Sequence, residues 1–253
     1  MKILITGICG TWGKEFTRLL LSKGHKITGV DNTEQAIVSF RHDFPQVEAK
    51  LMNFHEIDFG LEKIDVLIHL AAHKHIDICE ENVFEAVQNN VIATAKLFQN
   101  AQKNNVKILF ISTDKAVEPV SVYGFTKALG EHLAWEAGGQ VARSGNIIGS
   151  NGSVFQIWEK AIKNQEKIRL TDPNMRRFFI KVGYAVKTAW EGFKKGEKLV
   201  LINSGELNSM GDILETLLNT RGYTKENYPG GIEITGRRPG EKVVEKLEWD
   251  WEK

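Results

Sequence analysis

The sequence predicts an α/β protein built on a doubly wound parallel sheet. Along the first half of the 253-residue chain, short apolar runs of strand length alternate with amphipathic segments of helical spacing. Such alternation is typical of β-α-β units, in which helices cover a buried parallel sheet. Because crossovers between parallel strands are right-handed, the doubly wound arrangement is favoured.

Five strands and three long helices are predicted in this first half. The strands are residues 2–6, 26–31, 65–71, 106–112 and 140–144, and the helices are residues 11–23, 80–103 and 122–137. After residue 146 glycines cluster, and helical segments near 154–164 and 183–194 alternate with short strand-like runs. We therefore expect a first domain over residues 1–145 and a small C-terminal lobe over residues 146–253, with the chain free to cross between them.

Composition and charge exclude several classes of protein. Hydrophobic residues make up 42% and charged residues 26%, as in ordinary soluble domains. The net charge of +1 gives no field that would attract nucleic acid or an anionic membrane. Two isolated cysteines, Cys9 and Cys79, form neither a disulfide framework nor a metal site. Since the chain starts directly with a strand and its longest apolar stretch, 66–72, is short, we expect a cytoplasmic protein without a signal peptide, membrane span or metal.

Three glycines between the first strand and the first helix predict a dinucleotide site. Gly7, Gly10 and Gly13 form a G-x-x-G-x-x-G motif directly after the run ILIT. Glycine permits the tight turn and lets backbone amides approach a pyrophosphate, which the helix N-terminus stabilises. This context favours a ligand site over an empty turn, so we expect a Rossmann domain.

Asp31 at the end of the second strand indicates which dinucleotide is bound. It lies about twenty residues beyond the glycines, where a carboxylate binds the adenosine ribose hydroxyls and repels a 2′-phosphate. NAD is therefore favoured over NADP. The alternative is that Asp31 only caps the following segment.

Tyr123 and Lys127 form the candidate catalytic pair. Four residues apart at the start of a predicted helix, they project from one face. A lysine ammonium beside a phenol lowers a pKa that starts near 10 and makes a base that can take a proton from a hydroxyl as hydride leaves the carbon. Thr113 at the end of the preceding strand can bind the same oxygen. Alone, the spacing usually marks a solvated helix face, but the glycine turn makes coincidence an unsatisfactory explanation.

Five motifs in order carry a family resemblance: TGICGTWG, LAAHKH, STDKAVEPVSVYGFTK, RSGNIIGSNGSV and GRRPGEK. With them the chain resembles the extended short-chain dehydrogenases, and more narrowly the inverting UDP-N-acetylglucosamine 4,6-dehydratases of bacterial surface-glycan synthesis. The stretch STDKAVEPVSVYGFTK is the most specific. Simple sugar 4-epimerases typically lack the Asp-Lys pair that follows Thr113, and retaining hexose 4,6-dehydratases typically carry Asp-Glu there.

This resemblance implies a role for each residue of that stretch. Thr113 would orient the C4 hydroxyl of the sugar, Tyr123 would be its base, and Lys127 would tune Tyr123 and hold the nicotinamide ribose. Asp114 would protonate the departing C6 hydroxyl, for which burial should raise its pKa, and Lys115 would take the C5 proton. The alternative for Asp114 and Lys115 is an exposed ion pair of little consequence.

The resemblance also implies the binding residues. The cofactor, NAD or NADP, would contact Gly7, Gly10, Thr11, Trp12, Gly13, Asp31, Ala71, Tyr123 and Lys127. The UDP-sugar would contact Lys74, Asn146, Arg177, Arg238 and Glu241. An arginine fork such as that of Arg238 can clamp a diphosphate, and a carboxylate such as that of Glu241 can accept from ribose hydroxyls. The C-terminal lobe would thus bind substrate.

Two other functions and an assembly state remain as expectations. The same Tyr123 and Lys127 would serve a nucleotide-sugar 4-epimerase or reductase, and a catalytically silent NAD-binding regulator is a rival from another class. In the resembled family the helices predicted at 80–103 and 122–137 commonly pair with their symmetry mates. We therefore expect a homodimer or higher oligomer, with apolar positions that serve either the interface or the core. These positions are Phe84, Val87, Val91 and Leu133.

Overall fold

The structure is a computed structural model that describes residues 1–60, 63–150, 152–203 and 205–252. Its strands are β1 (Lys2–Thr6), β2 (Lys26–Asp31), β3 (Glu48–Leu51), β4 (Val66–His69), β5 (Lys107–Thr113), β6 (Gln140–Ser144), β7 (Asn146–Ile147), β8 (Ile168–Leu170), β9 (Arg176–Ile180), β10 (Leu199–Ile202), β11 (Leu207–Ser209) and β12 (Ile232–Ile234). Its α-helices are α1 (Thr11–Ser22), α2 (Glu34–Asp43), α3 (Ile76–Glu81), α4 (Val83–Val87), α5 (Thr94–Lys103), α6 (Val122–Glu136), α7 (Val154–Asn164), α8 (Val182–Lys195) and α9 (Met210–Asn219).

Seven parallel strands form the central sheet in the order β10-β6-β5-β4-β1-β2-β3. Strands β1, β4 and β5 are covered on both faces, which explains their continuous apolar runs. On one face the core includes Phe16 of α1, Phe40 of α2 and Trp190 of α8. On the other it includes Phe98 of α5 and Ala134 of α6. The predicted doubly wound Rossmann fold is confirmed.

The strand order reverses beside β1, and this reversal positions the site. The chain runs from β1 outward to β2 and β3 on one side, then returns to β4 on the other. In open parallel sheets, ligands bind at the carboxyl ends of the strands where the order reverses. The glycine turn after β1 and the loop after β4 both lie at this edge.

A second core forms in the C-terminal half. Trp158 and Ile162 of α7 pack with Leu214 of α9 and with Leu170 of β8. Two small sheets border this core, β11-β9-β7 and β12-β8. Between these elements the chain returns to the Rossmann core, because α8 packs against α1 and β10 pairs with β6. After residue 145 the chain therefore contributes to both cores.

The helix predicted over residues 80–103 is interrupted, so that prediction is wrong in this respect. Asn82, with φ of −128° and ψ of 56°, is non-helical and separates α3 from α4, and residues Gln88–Ala93 form a π-helical turn before α5. Within that turn the Asn90 carboxamide accepts from His73 N at 2.8 Å and donates to His73 O at 2.9 Å. These bonds fix the loop after β4 against the helix, a tertiary constraint that helical spacing does not encode.

No helix in the described ranges is long and apolar enough to cross a bilayer. Nor do the described residues include a group of three or more histidine, cysteine, aspartate or glutamate side chains placed to hold a metal ion.

Candidate active site

The carboxyl ends of β1, β4 and β5 open into a cleft of about 530 Å³, a size common for sites that enclose small ligands. Most of the residues predicted for the site line it: Gly7, Gly10, Thr11, Trp12, Gly13, Asp31, Ala71, Lys74, Thr113, Lys115, Tyr123, Lys127 and Asn146. The other four, Asp114, Arg177, Arg238 and Glu241, lie outside the lining that the structure describes.

The glycine turn brings α1 close to β1 and leaves its N-terminus facing the cleft. Gly7 has a φ of +66°, and its amide donates to Val30 O at 2.9 Å. A Cβ on Gly13 would lie 2.3 Å from Ile8 O, so a larger residue would push α1 away. Over the described residues of this turn, no side chain caps the helix and its first turn contains no acidic residue. The amides and the dipole of α1 are thus arranged to receive an anion.

Asp31 is oriented by the same turn. Its Oδ2 accepts from Cys9 N at 3.3 Å and its Oδ1 accepts from Thr33 N at 3.2 Å. Burial and the neighbouring Asp31 carboxylate raise the pKa of the Cys9 thiol to about 12. The thiol is therefore protonated at neutral pH and is no nucleophile, while the half-buried carboxylate faces the cleft beside the phosphate-binding turn.

A buried histidine that the sequence analysis missed fixes the loop after β4. His69 Nδ1 lies 2.7 Å from Thr6 Oγ1, and its Nε2 lies 3.1 Å from Thr94 Oγ1. Thr6 Oγ1 also accepts from Ala71 N at 3.3 Å, which fixes Ala71 at the cleft wall. Burial, reinforced by the charge of Lys127, lowers the pKa of His69 well below its usual value, so the ring is neutral. The sequence feature that could have identified His69 is a histidine inside the apolar run VLIHLAA.

The 3-10 turn Asp114–Ala116 after β5 gathers three candidate catalytic side chains. Thr113 Oγ1 donates to Asp114 Oδ1 at 2.8 Å, and Lys115 Nζ donates to the same oxygen at 3.0 Å and to Asn146 Oδ1 at 3.0 Å. Asp114 is 0% exposed, and its Oδ2 has no hydrogen-bond partner among the described residues. The alternative of an exposed ion pair is therefore wrong.

Burial raises the pKa of Asp114, although the charge of Lys115 opposes the shift. A carboxyl that is protonated above its usual pKa can serve as an acid, as expected for this residue. However, Asp114 does not line the described cleft, whereas its neighbours Thr113 and Lys115 do.

The side-chain nitrogen of Lys127 lies against β5. Its Nζ donates to Ile111 O at 2.7 Å and lies 3.9 Å from the centroid of the Phe110 ring. Burial lowers the pKa of Lys127 to about 7. The ammonium therefore faces the β5 backbone, although the residue also lines the cleft.

Tyr123 is less acidic than a free phenol. Burial raises its pKa to about 12, against the lowering effects of the Lys115 charge and a hydrogen bond with Thr113. The cation that opposes this rise is Lys115, and the lowering of the Tyr123 pKa by Lys127 stays a prediction. Thr113, Tyr123 and Lys115 nevertheless share the cleft wall, so the predicted base, its hydroxyl partner and a cation are brought together.

The residues predicted to bind the diphosphate are placed apart from this cleft. Arg177 is buried, and its guanidinium donates to Lys242 O at 2.8 Å and to Val243 O at 3.2 Å. Arg238 is exposed, with Nη1 3.4 Å from Asp77 Oδ2, and its amide donates to Glu241 Oε2 at 3.0 Å. Arg177 thus ties the C-terminal segment to β9, while Arg238 and Glu241 form a local turn at the surface.

The profile of the polysaccharide biosynthesis protein family matches residues 3–253. The chain belongs to this family. An uncharacterized membrane protein of Methanocaldococcus jannaschii is 35% identical over 97% of this chain and 79% of its own length. EpsC of Bacillus subtilis, named a probable polysaccharide biosynthesis protein, is 32% identical over 97% of this chain, which spans 44% of that relative. A UDP-glucose 4-epimerase of Rickettsia canadensis is 28% identical over 97% of this chain and 76% of its own.

Two solved structures have the same fold as this member of the family. Pen from Bacillus thuringiensis superposes with a TM-score of 0.88 at 29% identity, over 97% of this chain and 81% of its own. DesIV of Streptomyces venezuelae, a dTDP-glucose 4,6-dehydratase solved with NAD and TYD bound, gives 0.87 at 18% identity, over 98% of this chain and 88% of its own. The resemblance to the extended short-chain dehydrogenases is confirmed at the level of family and fold.

Proposed function

We propose that the protein is a nucleotide-sugar 4,6-dehydratase that acts on UDP-N-acetylglucosamine in the synthesis of surface-glycan precursors. The observation that carries this proposal is the Thr113–Asp114–Lys115 cluster. It brings two proton-transfer groups within 3.0 Å of each other: Lys115 in the wall of the cleft that also contains Tyr123 and Lys127, and Asp114 buried beside it. Oxidation and reduction at C4 require no such pair, whereas loss of water requires both an acid and a base.

A nicotinamide dinucleotide, NAD in preference to NADP, fits the residues present. The cradle formed by Gly7, Gly10 and Gly13 would hold the pyrophosphate against the N-terminus of α1, and Asp31 would accept from the ribose hydroxyls. Lys127 would hold the nicotinamide ribose. When bound, the dinucleotide supplies the acceptance of hydride from C4 and its later return to the sugar.

Each side chain then has a proton to hold or move. Tyr123, once ionised with the help of the nearby Lys115 charge, takes the proton of the C4 hydroxyl, which Thr113 orients. The resulting ketone acidifies C5–H. Lys115 takes the C5 proton, and Asp114 protonates the C6 hydroxyl that leaves as water. Because Asp114 Oδ1 already accepts two hydrogen bonds, its acidic proton belongs on Oδ2, which has no hydrogen-bond partner among the described residues.

The protons gained and lost during elimination support the pairing of Lys115 with Asp114. After elimination, Lys115 holds an additional proton and Asp114 has lost one. The product state is therefore an ammonium beside a carboxylate, and a separation of 3.0 Å between Nζ and Oδ1 would suit that ion pair. Return of the proton from Lys115 to C5, with or without inversion at that carbon, restores Lys115. The proton that Tyr123 took from the C4 hydroxyl must then pass to Asp114 to restore the other two groups.

Mass spectrometry of the purified protein with UDP-N-acetylglucosamine tests the proposal. The dehydratase forms a product lighter by one water, which absorbs as a 4-keto sugar in alkali. A second candidate is a 4-epimerase, favoured by the Rickettsia relative, and it would give a product of unchanged mass that separates chromatographically. Nucleotide binding without turnover of any UDP-sugar would support the regulator instead.

We also propose that the protein forms a dimer through α4 and α6. Their neighbouring surfaces expose five large apolar side chains: Val83, Phe84, Val87, Phe125 and Leu129. Phe84 is 80% exposed, a costly position for an unpartnered aromatic ring. Leu133, also considered for the interface, packs instead against the Rossmann core, and Val91 is half-buried.

A further inference from the structure

A buried carboxylate from the end of the chain lies behind the candidate base Lys115. Glu245 is 2% exposed and sits between three cations. Its Oε2 lies 2.8 Å from Lys242 Nζ, and its Oε1 lies 3.6 Å from Lys115 Nζ and 3.9 Å from Arg177 Nε. Burial works against charge on Glu245, but these cations hold its pKa below the usual value. Glu245 is therefore a fixed negative charge at neutral pH.

Contacts with β9 and with the loop after β5 fix the position of Glu245. Its backbone amide donates to Arg176 O at 3.4 Å on β9, and the neighbouring Arg177 guanidinium donates to Lys242 O at 2.8 Å. Lys242 Nζ in turn donates to Val117 O at 2.7 Å, just after the turn that contains Lys115. The segment 242–245 thus joins β9 to the catalytic turn, and the carboxylate cannot swing away without breaking several buried contacts.

Lys115 Nζ lies between this carboxylate and the cleft. Its hydrogen bonds run to Asp114 Oδ1 and Asn146 Oδ1, each at 3.0 Å, and Glu245 completes its surroundings at 3.6 Å. Arg177 and Tyr123 are the other described charged or titratable groups whose electrostatic effect involves Lys115. Three oxygen atoms therefore constrain where the Lys115 nitrogen rests at the cleft wall.

We infer that Glu245 is a positioning residue that holds the Lys115 ammonium at the cleft wall and sets its readiness to give up a proton. Glu245 does not line the described cleft, so it acts through Lys115 rather than on the sugar. The inference deepens the proposed function and rests on it for the role of Lys115 as the C5 base. A negative charge beside an ammonium favours the protonated form, so neutralising Glu245 makes Lys115 a weaker base that is neutral at lower pH.

The simplest competing role for Glu245 is structural. In that role it would only tie the C-terminal segment to β9, and its replacement would reduce stability without changing the protonation of Lys115. The two roles therefore differ in one measurable quantity, the pH at which the Lys115 amine becomes neutral.

The test follows acetylation of the full-length chain by acetic anhydride as a function of pH, with peptide mass spectrometry to quantify Lys115. Only the neutral amine reacts. In Glu245→Gln, which keeps shape and removes charge, we expect the Lys115 midpoint to fall by about one pH unit, or about tenfold faster acetylation near pH 9. Glu233→Gln is the matched control, because Glu233 is an exposed carboxylate that pairs with Arg169 in β8. Its Lys115 midpoint should equal that of the native chain.

An unchanged Lys115 midpoint in folded Glu245→Gln would overturn the inference. If that variant does not fold, Glu245→Asp is used instead, because it keeps the negative charge but moves it further from Lys115. A Lys115 midpoint equal to the native one in Glu245→Asp would overturn the inference in the same way. The acetylation assay needs no sugar, so its failure is distinct from failure of the proposed function. Where dehydration occurs, its pH profile in Glu245→Gln should shift with the Lys115 midpoint.

Discussion

The Arg143 guanidinium and the Glu131 carboxylate form a fully buried bidentate ion pair, with Nε–Oε1 at 3.0 Å and Nη2–Oε2 at 2.7 Å. Glu131 lies on α6, the helix that carries Tyr123 and Lys127, one turn beyond the lysine. Arg143 also donates to Leu247 O at 2.8 Å and to Glu252 Oε2 at 2.7 Å. This arginine on β6 therefore joins the catalytic helix to the C-terminal segment that follows Glu245.

Arg143→Met should be strongly destabilising. It leaves the Glu131 carboxylate buried without its cation, which typically costs about 3–5 kcal/mol. Urea unfolding followed by circular dichroism measures the loss in the free energy of unfolding. Arg169→Met is the control, since that exposed arginine pairs only loosely with Glu233 at 3.5 Å and should cost less than about 1 kcal/mol.

A double variant separates lost charge pairing from lost packing. Combining Arg143→Met with Glu131→Gln removes the unpaired buried charge and should recover part of the stability. If the double variant is as unstable as the sum of the two single variants, the pair is not coupled as described.

Lys127 gives the protein a pH-dependent stability. Burial lowers its pKa to about 7 in the folded state, whereas the unfolded value is the ordinary 10.5. Between these values the unfolded chain binds a proton that the folded chain does not, so stability rises with pH across this window, by up to about 1.4 kcal/mol per pH unit. Lys127→Met should flatten that slope in urea unfolding at several pH values, and Lys103→Met, an exposed position on α5, should not. A native slope in Lys127→Met would contradict the shift.

Sequence periodicity predicts the Rossmann core well because the strands are buried on both faces. Ile3, Ile5 and Ile68 are fully buried, and such positions produce the continuous apolar runs on which the prediction depends. The glycine turn was predictable for a related reason, since Gly13 tolerates no Cβ beside Ile8. In each case a local pattern and its physical cause lie in the same few residues.

The remaining features depend on contacts between distant segments. Arg177 was expected to contact the UDP-sugar, and in the structure its guanidinium binds the backbone of a segment about 65 residues further on, at Lys242 and Val243. The electrostatics of Tyr123 depend on which way two lysines turn, and spacing along a helix does not determine this. Glu245 follows no periodic pattern that would have identified it.

Asp31 should select the cofactor. We expect the native protein to bind NAD more tightly than NADP, because the carboxylate repels a 2′-phosphate. In Asp31→Ala the ratio of the NADP to the NAD dissociation constant should fall by about tenfold, or about 1.4 kcal/mol. Asp31→Asn keeps an acceptor for the Cys9 amide and tests the charge alone. Titration calorimetry with both dinucleotides measures the difference, and NADP binding as tight as NAD binding in the native protein would disprove the assignment.

Phe84 should be central to the proposed dimer. Phe84→Glu places a charge in the middle of the exposed apolar surface of α4 and α6 and should yield monomers in light scattering at micromolar concentration. Ile157→Glu is the control, because Ile157 is an exposed apolar residue on α7 of the other lobe, 59% exposed. A native protein that is itself monomeric would remove the proposal.

Replacement of Tyr123 and replacement of Lys115 should block different steps of the proposed reaction. If Tyr123 is the C4 base, Tyr123→Phe should abolish every step, because no hydride leaves the sugar. If Lys115 is the C5 base, Lys115→Ala should still permit oxidation at C4 but not elimination, with a rate penalty of about a hundred- to ten-thousand-fold. The variant should then accumulate reduced nicotinamide absorbance without loss of water. Deuterium at C5 should wash out with the native protein and persist with Lys115→Ala.

A second variant of Lys115 separates its charge from its role as a base. Since Lys115 also lowers the pKa of Tyr123, some slowing of C4 oxidation is expected in Lys115→Ala. Lys115→Arg keeps the charge but cannot act as a base at neutral pH, so it should restore C4 oxidation alone. Near-native dehydration by Lys115→Ala would instead favour the epimerase, which needs only Thr113, Tyr123 and Lys127.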